Sequence, residues 1–308
     1  RRQSPSNRRS IGMATTFKGP ADIKWNTRQR LQYIEIMAFY TGVVTRSNVA
    51  RSFGISDAAA TKDLKLYGQM APDNLSYVHT VFGFVPTSSF TPMFADLEPQ
   101  VVLPMIAANL AASGGPSENA LLYGIPMEQL PLPVRLPNRD VCAQVIRAVK
   151  QGKKLRMVYK SLSDRDEDDV RTIEPHSLVN TGLRWHVRAY STETYDFRDF
   201  VLSRFVAAEM LDEDAESSAQ YDDEWVEAIT LKLAPHPKLK SRKQESLLID
   251  YRAVDGVIEL DVKRALVGYL LHRLSVDTTV DQSMNPNAYQ LILVNRDEIE
   301  PFAGWAFL

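Results

Sequence analysis

The chain has 308 residues, 44% of them hydrophobic, with a formal net charge of −2, which suits two or three globular domains of ordinary size with real cores. Its longest apolar stretch, Val101 to Ala112, is broken by Pro104 and Asn109 and is too short for a bilayer-spanning helix, and a lone Cys142 excludes an internal disulfide and a cysteine-built zinc site. The overall charge conceals a split: residues 1–65 hold 12 Lys/Arg against 4 Asp/Glu, and the remainder 24 against 34, an asymmetry that hints at nucleic-acid contact by the front end. Met13-Ala14-Thr15 has the form of a translation start, and leaving out the four arginines of residues 1–12 weakens the asymmetry without abolishing it. The Arg-rich start leads into polar residues instead of the apolar run of a secretory signal, so a cytoplasmic location is expected.

In chain order, Asn26 is a helix cap, and Leu31, Ile34, Met37, Ala38 and Thr41 recur at helical spacing until Gly42. Thr45 opens a short helix with Val49, Ala50 and Phe53 apolar, Gly54 ends it, and Ser56 caps a third. Helix, short helix, glycine turn, helix is the helix-turn-helix plan. In the third helix Ala60, Leu64 and Tyr67 form the buried stripe, which leaves Asp57, Ala58, Thr61, Lys62 and Lys65 outward, small residues and lysines suited to a major groove. Leu75 to Val85, rich in Val, Tyr, Phe and Thr, reads as a two-stranded wing. It holds no Lys or Arg and only His79, so contacts to the DNA backbone fall to Arg28, Arg30, Arg46 or the N-terminal arm.

The chain then changes character. Asp96 to Ala112 reads as helical despite Pro99 and Pro104, Ser113 to Ser117 breaks it, and Leu130 to Pro137 is a stiff, extended connector. Asn138 caps an amphipathic helix on which Val141, Val145, Ile146 and Val149 share a face, ended by Gly152. Leu155 to Tyr159 alternates as a strand, Ser161 follows it, and Ser163 to Asp169 is an acidic loop. From Thr172 to Phe205 the order is Pro175-His176, then Arg184-Trp185-His186-Val187-Arg188-Ala189-Tyr190, then Arg198-Asp199-Phe200-Val201-Leu202-Ser203-Arg204. Strand alternation sends Trp185, Val187 and Ala189 one way and Arg184, His186, Arg188 and Tyr190 the other. The second face carries guanidinium forks, an imidazole and a phenol, the chemistry that anions select. Past an acidic linker, Leu211 to Glu224, Thr230 to Leu233 is a strand and a hairpin turning at Asp255-Gly256 has Ser246 to Val254 and Val257 to Val262 as arms. Lys263 to Arg273 is a helix and Tyr289 to Val294 a last strand.

The 172–205 pattern resembles the core of a WYL domain, with Trp185-His186-Val187 standing where that family has Trp-Tyr-Leu. The run from Ile55-Ser56 to Lys62-Asp63-Leu64 is similar to the recognition helix of WYL-type and related winged-helix repressors, with Ala59 and Lys62 where the usual pattern has Thr and Arg. The resemblance implies an α+β multidomain chain: an arm and winged helix-turn-helix over 1–90, a linker over 91–137, an SH3-like β-barrel (the WYL domain) over 138–215, and an α+β extension over 216–308. It implies a ligand pocket drawn from Tyr159, Ser161, His176, Trp185, His186, Arg188, Tyr190, Arg198 and Arg204, and a DNA-reading set of Arg28, Arg46, Ser56, Asp57, Ala58, Thr61, Lys62 and Lys65. The order of domains most resembles regulators encoded with bacterial antiphage defence systems.

No Gly-x-Ser-x-Gly elbow, phosphate-cradling glycine loop, His-Glu-x-x-His or paired-cysteine motif occurs, so no enzyme, cofactor or metal is expected. The expected function is that of a homodimeric, ligand-responsive repressor of a defence-associated operon, bound to double-stranded DNA at an inverted repeat. Its barrel is expected to sense a nucleotide or single-stranded nucleic-acid ligand. The alternative is a WYL-type accessory protein that binds nucleic acid and regulates an associated enzyme.

Overall fold

The computed structural model describes residues 20–112, 123–162 and 169–307. The N-terminal arm, the break at residues 113–117 and nearly all of the acidic loop after Leu162 lie outside them. The chain divides into two compact units, Arg1–Pro131 and Leu132–Leu308.

In the first unit α1 (Trp25–Thr41), α2 (Arg46–Phe53) and α3 (Asp57–Met70) precede β1 (Leu75–Val78), β2 (Gly83–Pro86) and α4 (Pro99–Ala112). The local signals explain the helix boundaries. Thr45 and Asn48 form a reciprocal capping box at the start of α2, Gly54 ends it in the left-handed region at φ 61°, and Ser56 Oγ accepts the Ala59 N–H to open α3. Asn26 is not the cap of α1: Lys24 is, with no side-chain hydrogen bond, and Asn26 lies within the helix. The wing strands pair antiparallel, and Val44 bridges to Phe84, fastening the hairpin to the link between α1 and α2.

The segment after the wing does not behave as a connector. Phe94, Ala95, Val102, Ile106 and Tyr123 are buried in one core with Leu31, Ile34, Val49, Leu64 and Tyr67. Glu35, fully buried on α1, accepts the backbone N–H groups of Met93, Phe94 and Ala95 at 2.7, 2.8 and 2.7 Å and the Tyr67 hydroxyl at 3.0 Å. A carboxylate thereby satisfies donors that burial would otherwise leave orphaned.

The second unit opens with α5 (Arg139–Gln151), capped by Asn138 Oδ1 at both Asp140 and Val141 N–H. Five strands follow: β3 (Lys153–Tyr159), β4 (Asp169–Asn180), β5 (Trp185–Ser191), β6 (Asp196–Val201) and β7 (Phe205–Asp214). They form an antiparallel sheet in the order β6-β5-β4-β3-β7, with β6 and β7 as its edges among the described residues. Val141 and Val145 of α5 pack on Leu155, Met157, Ile173, Val187 and Ala189 of the sheet. What the sequence reads as an acidic linker from Leu211 is in part the end of β7.

The C-terminal portion contains α6 (Asp223–Val226), β8 (Ala228–Pro235), α7 (Ser241–Asp250), β9 (Ile258–Lys263), α8 (Val267–Arg273), β10 (Val276–Asp277), β11 (Leu291–Leu293) and α9 (Arg296–Ala303). Its four strands are ordered β10-β11-β8-β9 over a separate core that includes Leu231, Leu233, Leu271 and Ile299. The hairpin expected at Asp255-Gly256 is a correction. Most of its first arm is the helix α7, only Val254 and Val257 bridge across the turn, and β9 pairs with β8. A short apolar run such as Leu247-Leu248-Ile249 fits either period, and length alone did not arbitrate.

Candidate nucleic-acid interface and the WYL surface

On α3 the inward residues Ala60, Leu64 and Tyr67 are buried, and Asp57, Ala58, Thr61, Lys62 and Lys65 are exposed, as is Ser56 just before the helix. Asp63 also turns inward, where Arg30 grips it with Nε–Oδ2 at 2.6 Å and Nη2–Oδ1 at 3.2 Å. Arg30 is therefore a strut between α1 and α3 and is not available for a phosphate. Arg46 at the start of α2 is exposed and lies 3.4 Å from Asp57, both ends in solvent, a pair worth little. Arg28 is exposed, donates to the Pro20 carbonyl at 3.4 Å and lies over the Phe94 ring. Lys62 and Lys65 form no ion pair among the described residues, so their charge is free to meet a polyanion.

A cleft of about 620 Å³ runs between these elements and the wing, lined by Thr45, Arg46, Thr61, Lys65, Tyr77 and Phe84 among others. One wall carries cations and hydroxyls, and the other is aromatic.

In the second unit the chain's own carboxylates cover Arg188 on β5. Arg188, 5% exposed, donates through Nε and Nη2 to the two oxygens of Asp222 at 2.8 and 3.0 Å, through Nη2 also to Glu224 at 3.1 Å, and through Nη1 to Asp199 at 3.4 Å. Asp222 is 1% exposed and also meets His176 Nε2 at 3.0 Å. Burial alone would lower the Arg188 pKa and raise that of Asp222. Their mutual pairing overcomes both effects, pushing the guanidinium higher and holding the carboxyl below its ordinary value.

The other expected pocket residues scatter. Tyr159 is in the core against Phe200 and Phe205, its hydroxyl accepting the Val201 N–H at 3.0 Å, so its ring has no free face on the surface for stacking a base. His186 is fully buried, 4.9 Å from the Tyr269 ring and 3.5 Å from Asp199, and neither ring nitrogen has a hydrogen-bond partner among the described residues. Trp185, the first residue of β5, is 39% exposed, while Val187 and Ala189 farther along the strand are core. It lines a cavity of about 260 Å³ with Val134, Leu136 and Leu183. Tyr190 is half-buried against Phe197, Ser161 and Arg204 are half-buried, and Arg198 is exposed. Sequence reasoning missed Asp199, Asp222, Glu224 and Tyr269. The usable signal was the acidic run Asp222-Asp223-Glu224, whose sign complements the Arg-bearing strand.

Two neutral histidines give this unit a pH dependence. Burial lowers His176 below an imidazole's ordinary 6.5, with Asp222 opposing in part, and burial lowers His186, with Asp199 opposing. The unfolded chain then binds protons more readily than the folded one, so stability is complete above about pH 6.5 and falls as pH drops below it. The melting temperature followed from about pH 7.5 to 5.5 is expected to be flat and then decline. A midpoint that stays level or rises on acidification contradicts the buried-neutral assignment.

Comparison with known proteins gives three matches along the chain. Residues 26–108 match the BrxR transcriptional regulator winged helix-turn-helix domain, residues 140–210 the WYL domain, and residues 228–299 the BrxR transcriptional regulator C-terminal dimerization domain. The DNA-binding transcriptional repressor CapW of Escherichia coli (strain KTE188) is 32% identical over 295 residues, covering 96% of this chain and 98% of its own length. The proteins of that name from Pseudomonas aeruginosa and Stenotrophomonas maltophilia are 31% and 29% identical, each covering 92% of this chain and 94% of their own. Among solved structures, proteasome accessory factor B/C of Arthrobacter aurescens covers 99% of this chain and 51% of that one at 16% identity, with a TM-score of 0.25, too low to carry an argument. A winged helix, a WYL domain and a C-terminal dimerization domain in one chain, together with 32% identity across 96% of it, mean that this protein belongs to the CapW-like family of BrxR-type transcriptional regulators and is a regulator, not an enzyme.

Proposed function

We propose that this chain is a cytoplasmic, homodimeric, DNA-binding repressor of a defence-associated operon, whose WYL domain senses an anionic nucleotide or short nucleic-acid ligand. The observation that carries the DNA part is α3: a capped helix presenting Thr61, Lys62 and Lys65 to solvent with neither lysine ion-paired among the described residues. The match to a dimerization domain supports pairing two such helices on an inverted repeat, with half-sites about one helical turn or a multiple apart. Register shifts at Lys153/Leu155, Val158/Tyr159 and Pro175/Ser177 bend the strands and support the SH3-like reading of the sheet.

The ligand part follows from the occupied Arg188. Ser161, Trp185, Tyr190, Arg198 and Arg204 retain accessible surface, and a phosphate reaches Arg188 and His176 only by replacing the Asp222 carboxylate that both now meet. Such a ligand binds the opened state better than the closed one, and moving the equilibrium from 1:99 to 99:1 requires about 5.5 kcal/mol of that difference.

Changing Lys62 and Lys65 together to Ala is expected to abolish sequence-specific duplex binding in a gel shift and to reduce the log-log salt slope by roughly 0.9 for every phosphate that the variant leaves unneutralised. Sedimentation is expected to show an unchanged dimer. A double variant that binds as tightly as the parent removes α3 as the reader.

A further inference from the structure

The wing has a second property besides its lack of Lys and Arg: its tip is apolar and firmly held. After a single helical turn, His79–Val81, Phe82 adopts the left-handed region at φ 50°, which a bulky side chain enters only at a cost. The strained residue does not use that conformation to bury itself, since its ring is 77% exposed, and Val81 and Tyr77 beside it are exposed as well. Behind the tip the hairpin is closely packed. Gly83 packs so closely that a Cβ there would lie 2.6 Å from the Val43 side chain and 3.1 Å from the Val44 carbonyl oxygen. Phe84 and Val44 exchange backbone hydrogen bonds at 2.8 and 2.9 Å, and Tyr77 is set edge-on against both Phe84 and His79.

The position of that ring suggests its use. Phe82 lines the same cleft as Arg46, Thr61 and Lys65. With α3 in a major groove, this cleft would offer a neighbouring phosphodiester strand the cations of Arg46 and Lys65 and the rings of Tyr77 and Phe84. The minor groove beyond that strand then faces the wing tip. A cationic tip would grip phosphate there. This one offers a bare aromatic ring on a closely packed support, which is how minor-groove proteins wedge open a base step.

We propose that Phe82 is an apolar wedge that enters the minor groove flanking the site read by α3, partly unstacks one base step and kinks the duplex. This rests on the DNA-binding reading above. It makes Phe82 a specificity-determining residue that touches no base edge: the flank is selected for deformability, favouring a flexible pyrimidine–purine step such as TA or CA/TG.

The test uses the full chain and a duplex recovered by the wild-type protein from a random-sequence library, with 2-aminopurine placed at successive flanking positions. Wild type is expected to raise 2-aminopurine fluorescence at one flanking step and to bend the duplex by about 20–90° per wedge, read by energy transfer between end labels. Phe82→Ala is expected to lose both signals and the flanking-step preference, with about tenfold weaker binding, a loss typical of one mismatched base pair, and an unchanged salt slope because no cation is removed. Phe82→Leu, which keeps an apolar wedge, is expected to retain most of the bend. If wild type binds its duplex specifically without unstacking, or Phe82→Ala bends it equally, the wedge is wrong and the DNA reading stands. If wild type recovers no duplex at all, the DNA reading itself falls. Should Phe82→Ala alter self-association while binding and bending persist, the tip is a protein contact and the wedge is overturned.

Discussion

Replacing Arg188 with Ala is expected to lower the melting temperature of the second unit by on the order of 10 °C, because the change strands a charge. Asp222 is 1% exposed and takes two of its hydrogen bonds from this guanidinium. Breaking a buried ion pair by removing one partner costs about 3–5 kcal/mol, most of it from the charge left behind. Three controls separate this cause from simple loss of packing. Asp222→Ala added to Arg188→Ala is expected to recover part of the loss, since neither charge then remains. Glu224→Ala is expected to cost less than about 1 kcal/mol, its carboxylate being half in solvent. His176→Gln in the Arg188→Ala background is expected to add little, because the carboxylate they shared is already uncompensated. Should Arg188→Ala melt within a degree or two of the parent, the network is incidental and Arg188 is held in place for a ligand alone.

This contact also marks where sequence reading reaches its limit. Alternation along a strand assigns Arg188 and His186 to one face but does not say what lies over that face. The covering groups arrive from Asp222 and Glu224, more than thirty positions downstream, and from Tyr269. The helix-turn-helix was legible because its signals are local: Thr45 with Asn48, Gly54 and Ser56 each act within one turn of themselves. The wing was legible for the same reason, since a four-residue strand pair needs only neighbouring β-formers and a turn. Tyr159 and Trp185 went the other way. Tyr159 enters the expected pocket only through the WYL resemblance, yet it fills the core because Phe200 and Phe205 come in from later strands, and Trp185 at the mouth of a turn is left at the surface.

Glu35→Ala is expected to be the most damaging single change in the first unit, although a glutamate on a helix reads as solvated. Its carboxylate is fully buried and accepts three consecutive backbone N–H groups, from Met93, Phe94 and Ala95, together with the Tyr67 hydroxyl. Each buried donor left without an acceptor costs about 1–3 kcal/mol, and more when the missing acceptor was charged, so the total is comparable to the stability of a domain. Glu35→Gln is expected to be only slightly milder, because an amide nitrogen facing donors repels where an oxygen accepted. The damage has a predicted path. Asn74 ties the Tyr67 hydroxyl to the Thr91 backbone, so loss of Glu35 loosens the 91–95 segment and the base of the wing together. Hydrogen exchange at residues 93–95 is expected to accelerate before that in α3, whose own strut, Arg30 to Asp63, is untouched. Burial pushes the Tyr67 phenol up and the nearby Glu35 charge adds to that, so Tyr67 is also expected to titrate at lower pH in Glu35→Ala. Duplex binding is then expected to weaken without any DNA-facing residue having changed. If the amides at 93–95 stay protected and the melt is unmoved, apolar contacts of Phe94, Val102 and Ile106 alone hold the segment, and Glu35 is a passenger in that core.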